Sequence, residues 1–236
     1  GRYFERPVSL SNSAWISTNY QKRFALDVNV FRNFYDRGDW KAWGYTISPR
    51  WRISDKIFLI YEWDHSFAFG EQGYAVPFGI PAQTSTGIVF GNRDQVVVTN
   101  TVNIRYTFTN LMGFTFRLRH YRSQVQYNYF YDLQENGTLA RNGLTGLDAD
   151  GISAYNTNFN AFTIDLVYRW VFRPGSEINV VWKNSIFTND KRVSEAYFRN
   201  LQSTLDNGAL NSISIKVLYW LEYQKIQALF RGKKNG

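Results

Sequence analysis

Residues 162–172 read FTIDLVYRWVF, with a large apolar side chain at every second position. Three of the residues between them are polar, Thr163, Asp165 and Arg169. Successive side chains of a β-strand point to opposite faces, so this stretch predicts a strand with one apolar and one polar face. The pattern lasts about ten residues, which is longer than a common soluble strand and is the length at which a tilted strand crosses a bilayer.

The same alternation recurs along the chain, at residues 24–30 and 213–223 among others. Segments of period two between turn residues predict nine antiparallel strands. They lie near Ala14 to Tyr20, Phe24 to Phe34, Lys41 to Ile53, Lys56 to Phe67, Gln95 to Phe108, Met112 to Tyr129, Phe159 to Phe172, Glu177 to Phe187 and Asn211 to Tyr223.

Composition agrees with one all-β domain over residues 1–236. Apolar residues make up 44% and aromatic residues 18% of the chain, yet the mean hydropathy is negative, at −0.38. Alternation has this effect because half of every strand is polar. The chain has no apolar run near the roughly 20 residues of a membrane helix, so a membrane-spanning form must be a closed barrel. It also has no cysteine, and its net charge is +8.

The connections alternate between short and long, which is typical of outer-membrane barrels. Short turns fall at 21–23, 54–55, 109–111 and 173–176, and long polar segments at 68–94, 130–158 and 188–210. Aromatic residues lie near both ends of the strands, as in the girdles of such barrels. They are Tyr20, Phe24, Trp51, Tyr106, Phe108, Phe114, Trp170 and Phe172 beside the short turns, and Trp40, Trp43, Trp63 and Phe67 at the opposite ends. A soluble sandwich or lipocalin-like barrel with an aromatic core is the alternative.

Nine strands are an odd number, whereas bacterial barrels usually have an even count with both ends on the short-turn rim. Either residues 3–10 form a tenth strand or further strands precede this chain. We expect the second, in which the chain is the C-terminal portion of a larger barrel. The start, GRYFERPV, has no export signal, as expected of a mature form or a fragment.

The hairpin FRPGSEINVVWK, Phe172 to Lys183, resembles the C-terminal barrel region of a family of uncharacterised outer-membrane proteins of the Bacteroidota. Similar stretches are STNYQKRFALD (17–27), FRLRHYRS (116–123) and ISIKVLYWLEYQK (213–225). In that family the barrel, a domain of unknown function, usually follows a carbohydrate-binding module of the family-nine type. The resemblance implies a barrel, and it hints at glycan or peptide acquisition.

In each predicted strand, the residues between the apolar positions face the predicted lumen, and they include charged side chains of both signs. Asp165 is expected directly or diagonally opposite Lys183, Asn103 about opposite Arg117, and Arg105 on a diagonal from Arg117. A cationic patch that selects anions and a neutralised, closed interior are both compatible with this set. The basic members are Arg105, Arg117, Arg119, Arg169, Lys183 and Lys216, and the acidic members are Asp27, Glu62, Asp64, Asp165 and Glu222.

The sixth strand changes parity, since its apolar residues are even-numbered up to Leu118 and odd-numbered from Tyr121. Either a β-bulge lies near His120 or the strand continues as an aromatic-rich extracellular hairpin. In the hairpin reading, an extracellular surface for a sugar or a partner protein is expected. Its residues are Tyr127, Tyr129, Phe130 and Tyr131.

Other chemistry has little support in the sequence. His65 and His120 form no triad with a serine or an aspartate, so no catalytic residue is predicted. The Asp148, Asp150, Gly151 cluster lacks the later ligands of a calcium loop, and no metal site or cofactor is expected. No basic run interleaved with aromatics indicates nucleic-acid binding.

The leading hypothesis is therefore a non-enzymatic barrel of a Gram-negative outer membrane, in contact with outer-membrane lipid. It would act as a channel or uptake accessory for glycans, peptides or other polar solutes. The rival hypothesis is a closed barrel that serves as a structural subunit, with long loops that dock partner proteins of a transport or secretion complex. A third is a soluble sugar-binding β protein.

Overall fold

A computed structural model describes residues 3–77 and 88–222 of the chain. These residues form ten β-strands and one short helix, in agreement with the predicted all-β class. The elements are β1 (Ser9–Ser17), β2 (Phe24–Tyr35), β3 (Lys41–Arg52), β4 (Ile57–Tyr74), β5 (Val89–Thr109), β6 (Met112–Leu133), β7 (Leu139–Arg141), β8 (Thr157–Arg173), β9 (Ser176–Asp190), α1 (Tyr197–Leu205) and β10 (Leu210–Leu218).

All strands belong to one antiparallel sheet in the order β1-β2-β3-β4-β5-β6-β8-β9-β10. The three-residue strand β7 pairs with the far end of β6. Each main strand therefore lies beside the strand that follows it, as short hairpins and longer returning loops require. The nine predicted segments correspond to the nine strands of this path.

Several predicted strand bounds differ from the structure. The first strand begins at Ser9, so residues 3–8 precede it outside any strand and the tenth strand considered at residues 3–10 is wrong. The last strand ends at Leu218, and Tyr223 lies outside the described residues. Strands β4, β5 and β6 are longer than predicted, at 18, 21 and 22 residues.

Strand pairing fixes the two faces of the sheet. The apolar face carries the even-numbered residues of β8 from Phe162 to Phe172 and the residues paired with them, such as Leu118 opposite Ile164. The polar face carries the residues between, such as Asp165 and Arg117. Because direct partners in a sheet share a face, the alternation of each strand adds to that of its neighbours.

The proposed bulge near His120 is wrong. His120 pairs regularly with Asn100 on one side and with Phe162 on the other. The extra residue is Asn128, because Tyr127 and Tyr129 pair with adjacent residues of β5. The pattern changes at His120 because the residues that follow on the apolar face are themselves polar, and not because the backbone shifts.

Three girdle residues also lie elsewhere than predicted. The hydroxyl of Tyr20 donates a hydrogen bond to Asp27 on the polar face. Trp40 is buried and stacks on Tyr35, with ring centroids 4.5 Å apart. A third, Trp63, pairs with Ile47, which lies midway between Trp43 and Trp51 on β3, so Trp63 is near the middle of the apolar face. The remaining predicted girdle aromatics lie at the two ends of the apolar face.

Strands β1 and β10 are the two edges of the sheet, and no pairing joins them among the described residues. Both strands run from the rim that carries the long loops to the rim that carries the short turns. The helix α1 has nine residues, and no helix in the described part of the chain is long and apolar enough to cross a membrane.

Candidate functional site

The predicted charged residues lie in rows across the polar face, and the predicted partners meet in register. Asp165 is directly opposite Lys183, with 3.7 Å between the carboxylate and Nζ. Asn103 is opposite Arg117, and Arg105 is opposite Thr115 one row closer to the short turns. The cross-strand geometry inferred from hairpin folding is thus confirmed.

Most of the carboxylates on this face are engaged by neighbouring side chains. Asp27 accepts a hydrogen bond from Nε of Arg50 at 2.8 Å, in addition to the bond from the Tyr20 hydroxyl. Asp64 accepts a hydrogen bond from the Thr46 hydroxyl at 2.8 Å. These contacts fix three adjacent strands, β2, β3 and β4, with their charges satisfied.

Two members of these pairs, Arg50 and Glu177, were not among the predicted residues. Arg50 holds Asp27, and Glu177 lies 2.6 Å from Nη2 of Arg169. The alternation of apolar and polar residues could have predicted both, because each occupies a polar-face position of its strand. Lys216 lies nearby, opposite Asn179.

Arg105 and Arg117 form no ion pair or hydrogen bond within the described residues, and the same is true of Arg119 and Lys216. Arg117 faces Asp165 across the ladder, but the Asp165 carboxylate is in contact with Lys183. Arg119 lies 5.5 Å from the ring centroid of Tyr121 and shares its row with Glu62, which is separated from it by Thr101. Glu62 therefore offsets the charge of Arg119 within this row.

A hollow of about 700 Å³ lies over Arg105 and Arg117. It touches five adjacent strands, β4, β5, β6, β8 and β9, on the polar side. Its charged lining is Arg105, Arg117, Lys183 and Asp165, three basic groups and one acidic group with a net charge of +2.

Apolar side chains border the same hollow. Phe58 and Ile60 lie at its β4 side, opposite Arg105 and Asn103. Val167 and Val181 are paired with each other on β8 and β9, at its other side. These four residues occupy polar-face positions, so alternation alone does not account for them.

The four residues of the predicted aromatic surface lie on two different faces. The prediction was wrong for Phe130, which is buried and not on a surface. Phe130 is only 1% exposed and stacks on Tyr127 at 5.7 Å, where the loop residue Tyr155 covers both. The bulge at Asn128 turns Tyr129 and Tyr131 to the opposite face, where Arg141 lies over Tyr129 at 4.4 Å. No single stacking surface contains all four residues.

The segment 191–205 covers polar residues at the long-loop end of the apolar face. The Tyr197 hydroxyl accepts a hydrogen bond from Asn100 at 2.8 Å and lies 2.7 Å from Nδ1 of His120. Nη2 of Arg122 donates to the Glu195 carbonyl at 2.7 Å. Burial of Tyr197 against the sheet raises the pKa of its hydroxyl.

Some polar atoms near the segment 191–205 are buried without a hydrogen-bond partner among the described residues. They are Nε2 of His120, both side-chain amide atoms of Asn160 and Oδ1 of Asn200. Each such atom costs about 1–3 kcal/mol in lost solvation, so the segment is docked against an opposing penalty.

Asp148 is held by Lys191 and by the backbone of its own loop. Its carboxylate accepts a hydrogen bond from Lys191 and further bonds from the backbone N–H groups of Asp150 and Ile152. The hydrogen bond from Lys191 lowers the pKa of Asp148 below its ordinary value of 3.8. No group of three or more metal-ligating side chains occurs in residues 3–77 and 88–222.

Glu222, the last predicted acidic residue, follows the end of β10 and lies outside the strand ladder. The two histidines are on the apolar face, where Nδ1 of His65 is 3.2 Å from the Tyr45 hydroxyl. His65 and His120 are thus on the face opposite the carboxylate rows.

A family model described as Domain of unknown function (DUF5916) matches residues 1–230. The chain belongs to this family. A search of curated proteins gives no match to the chain. Because the DUF5916 match covers the whole described sheet, the rows of the polar face belong to the family's own domain.

Lys191→Met is expected to loosen the loop 142–156 of this DUF5916 domain. The lowered pKa means that ionised Asp148 supports the loop above the ordinary carboxylate pKa, and that this support is lost as pH falls through the folded-state pKa. Hydrogen exchange measured by mass spectrometry should rise in 142–156 at neutral pH in the variant, and in the native protein only on acidification. Equal exchange in the two proteins at pH 7 would contradict the role of the pair.

Tyr197→Phe is expected to release the segment 191–205 from the sheet. The change removes the hydroxyl shared by Asn100 and His120, at a cost of about 1–3 kcal/mol to docking. Limited trypsin digestion at Arg199, which is exposed, should become faster. Gln202→Ala, on the outward side of the same helix, is the matched control and should leave the rate unchanged.

Proposed function

We propose that this chain forms part of the wall of a Gram-negative outer-membrane β-barrel, in a member of the Bacteroidota, and that the barrel is a channel or uptake accessory for polar solutes. The observation that carries the proposal is the separation of the two faces over adjacent strands. One face is mainly apolar, with polar exceptions such as His65, His120 and Asn184, and the other carries rows of charge. Outer-membrane barrels meet lipid and water with this arrangement.

The height of the apolar band supports the membrane assignment. On β8 the band extends from Phe162 to Phe172. Eleven residues at roughly 3.3 Å each, tilted by about 45°, span close to 25 Å, which is the lipid-facing height of such barrels. In the proposed barrel the sheet would curve toward its polar face and enclose the charged rows in a lumen.

The directions of the edge strands β1 and β10 restrict how the sheet can close into a barrel. Since β1 and β10 run the same way, direct pairing between them would be parallel. An all-antiparallel barrel therefore needs an odd number of further strands between them, which would give an even total. Such strands also satisfy the open edges, which lipid does not tolerate. This requirement supports a larger barrel of which this chain forms a part.

The charge of the lumen indicates the solute. The hollow around Arg105 and Arg117 has a net charge of +2, so the local field favours anions, including acidic glycans and peptides. Arg50 and Asp27 neutralise each other elsewhere on the face and so contribute little to selectivity.

The packed long loops favour one rival, a closed barrel that docks partner proteins. Tyr155 covers Phe130 and Tyr127, and Lys191 holds Asp148. Ordered loops of this kind could close the lumen or present a surface to a transport or secretion subunit.

Ile47→Arg should destabilise the protein far more than Thr46→Arg, although the residues are adjacent in β3. Ile47 pairs with Trp63 on the apolar face, whereas Thr46 pairs with Asp64, which can accept a new arginine. A midplane arginine on the lipid side costs about 2–4 kcal/mol. Urea unfolding from phospholipid vesicles, followed by tryptophan fluorescence, measures the difference. Equal destabilisation would contradict the lipid-facing assignment.

The intact protein in planar bilayers is expected to conduct with a preference for anions. The double variant Arg105→Gln/Arg117→Gln should move the reversal potential in a KCl gradient toward zero. Arg119→Gln should have a smaller effect, because Glu62 in the same row offsets its charge. Absence of conductance from the intact protein would rule out the channel and favour the closed rival.

A further inference from the structure

We propose that the hollow over Arg105 and Arg117 is a binding site for an amphipathic anion, a carboxylate that carries a hydrocarbon or aromatic group. The inference deepens the proposed channel and rests on it for the access of water to the polar face. It names the substrate class through two features of the same hollow, the guanidinium groups that form no ion pair and the apolar borders.

The guanidinium groups supply the anion contact. Arg105 and Arg117 lie on adjacent strands, offset by one row, and neither forms an ion pair in the described residues, since Asp165 opposite Arg117 contacts Lys183 instead. Like charges this close repel each other unless an anion lies between them. Arginine binds a carboxylate through two parallel N–H···O bonds, which suits a planar anion better than a spherical one.

The apolar borders supply the second contact. Phe58 and Ile60 line one side of the hollow, and Val167 and Val181 line the other. All four would be exposed to water in an unoccupied lumen, where polar side chains suffice for solubility. Apolar surface next to a charged group is typical of ligand sites, in which burial gives affinity and the few polar groups fix orientation.

The dimensions fit a single small molecule. The volume of about 700 Å³ lies within the range of roughly 300–1,000 Å³ of ligand pockets. Five strands at a spacing of about 4.8 Å make the hollow roughly 19 Å wide along the sheet. A carboxylate at the arginines would thus leave room for a chain of several carbons against either apolar border.

The remaining charged groups agree with this ligand class. Lys183 adds positive charge at the β9 side, while its contact with Asp165 at 3.7 Å keeps the one carboxylate of the lining occupied. A purely inorganic anion would use the guanidinium groups and leave the apolar borders exposed. A neutral sugar would leave the guanidinium charges uncompensated.

The test is calorimetric titration of the intact protein, in nanodiscs of phosphatidylcholine, with octanoate and with acetate. Octanoate should bind at least about tenfold more tightly, because its added methylenes are removed from water. Empty nanodiscs provide the correction for partition of octanoate into lipid. Equal affinity of the two anions for the native protein would overturn the proposal.

Three variants test the parts of the site. Arg105→Gln/Arg117→Gln should weaken octanoate by about tenfold or more, as expected for the loss of charge-assisted bonds. Phe58→Ser/Val181→Ser should reduce octanoate affinity to that of acetate and leave acetate unchanged. Arg119→Gln, one row outside the hollow, is the matched control and should bind octanoate as the native protein does.

The outcomes separate this proposal from the channel. Octanoate binding without conductance would support the site and contradict the channel. Conductance with no preference for octanoate over acetate would support the channel and contradict the site. The chain-length comparison uses the native protein alone, so it remains decisive if an arginine variant does not fold.

Discussion

Hydrogen bonding between neighbouring strands is the constraint on which the rest of this structure depends. In an antiparallel ladder each residue has a defined partner, and partners share a face. A slip of one residue would exchange the faces of a whole strand. The ladder therefore converts a weak alternation in each strand into two continuous surfaces, one apolar and one charged.

The sequence was sufficient for the parts of the fold that depend on period two and on turn length. The nine strands of the main path, and the meeting of Asp165 with Lys183, follow from these patterns. At such positions local pattern and tertiary pairing agree, so a single sequence contains the needed information.

The parts that could not be predicted depend on loops that return to the sheet. His120 interrupts the apolar pattern because Tyr197, 77 residues later, covers it with a polar partner. Phe130 is buried because Tyr155 packs on it. Periodicity within one strand contains no trace of these contacts. Helix α1 did carry a signal, since Phe198, Leu201 and Leu205 are spaced as on one side of a helix.

That helix is oriented in an unusual way. Its polar residues Asn200 and Thr204 face the sheet and are buried, while Phe198 is 80% and Leu205 45% exposed. In the proposed membrane arrangement, the exposed apolar side of α1 would lie at the boundary between headgroups and acyl chains, as interfacial helices do. A helix fixed to the outside of the wall at that height would set the depth to which the barrel sinks into the bilayer, and with it the local thickness of lipid around this side of the protein.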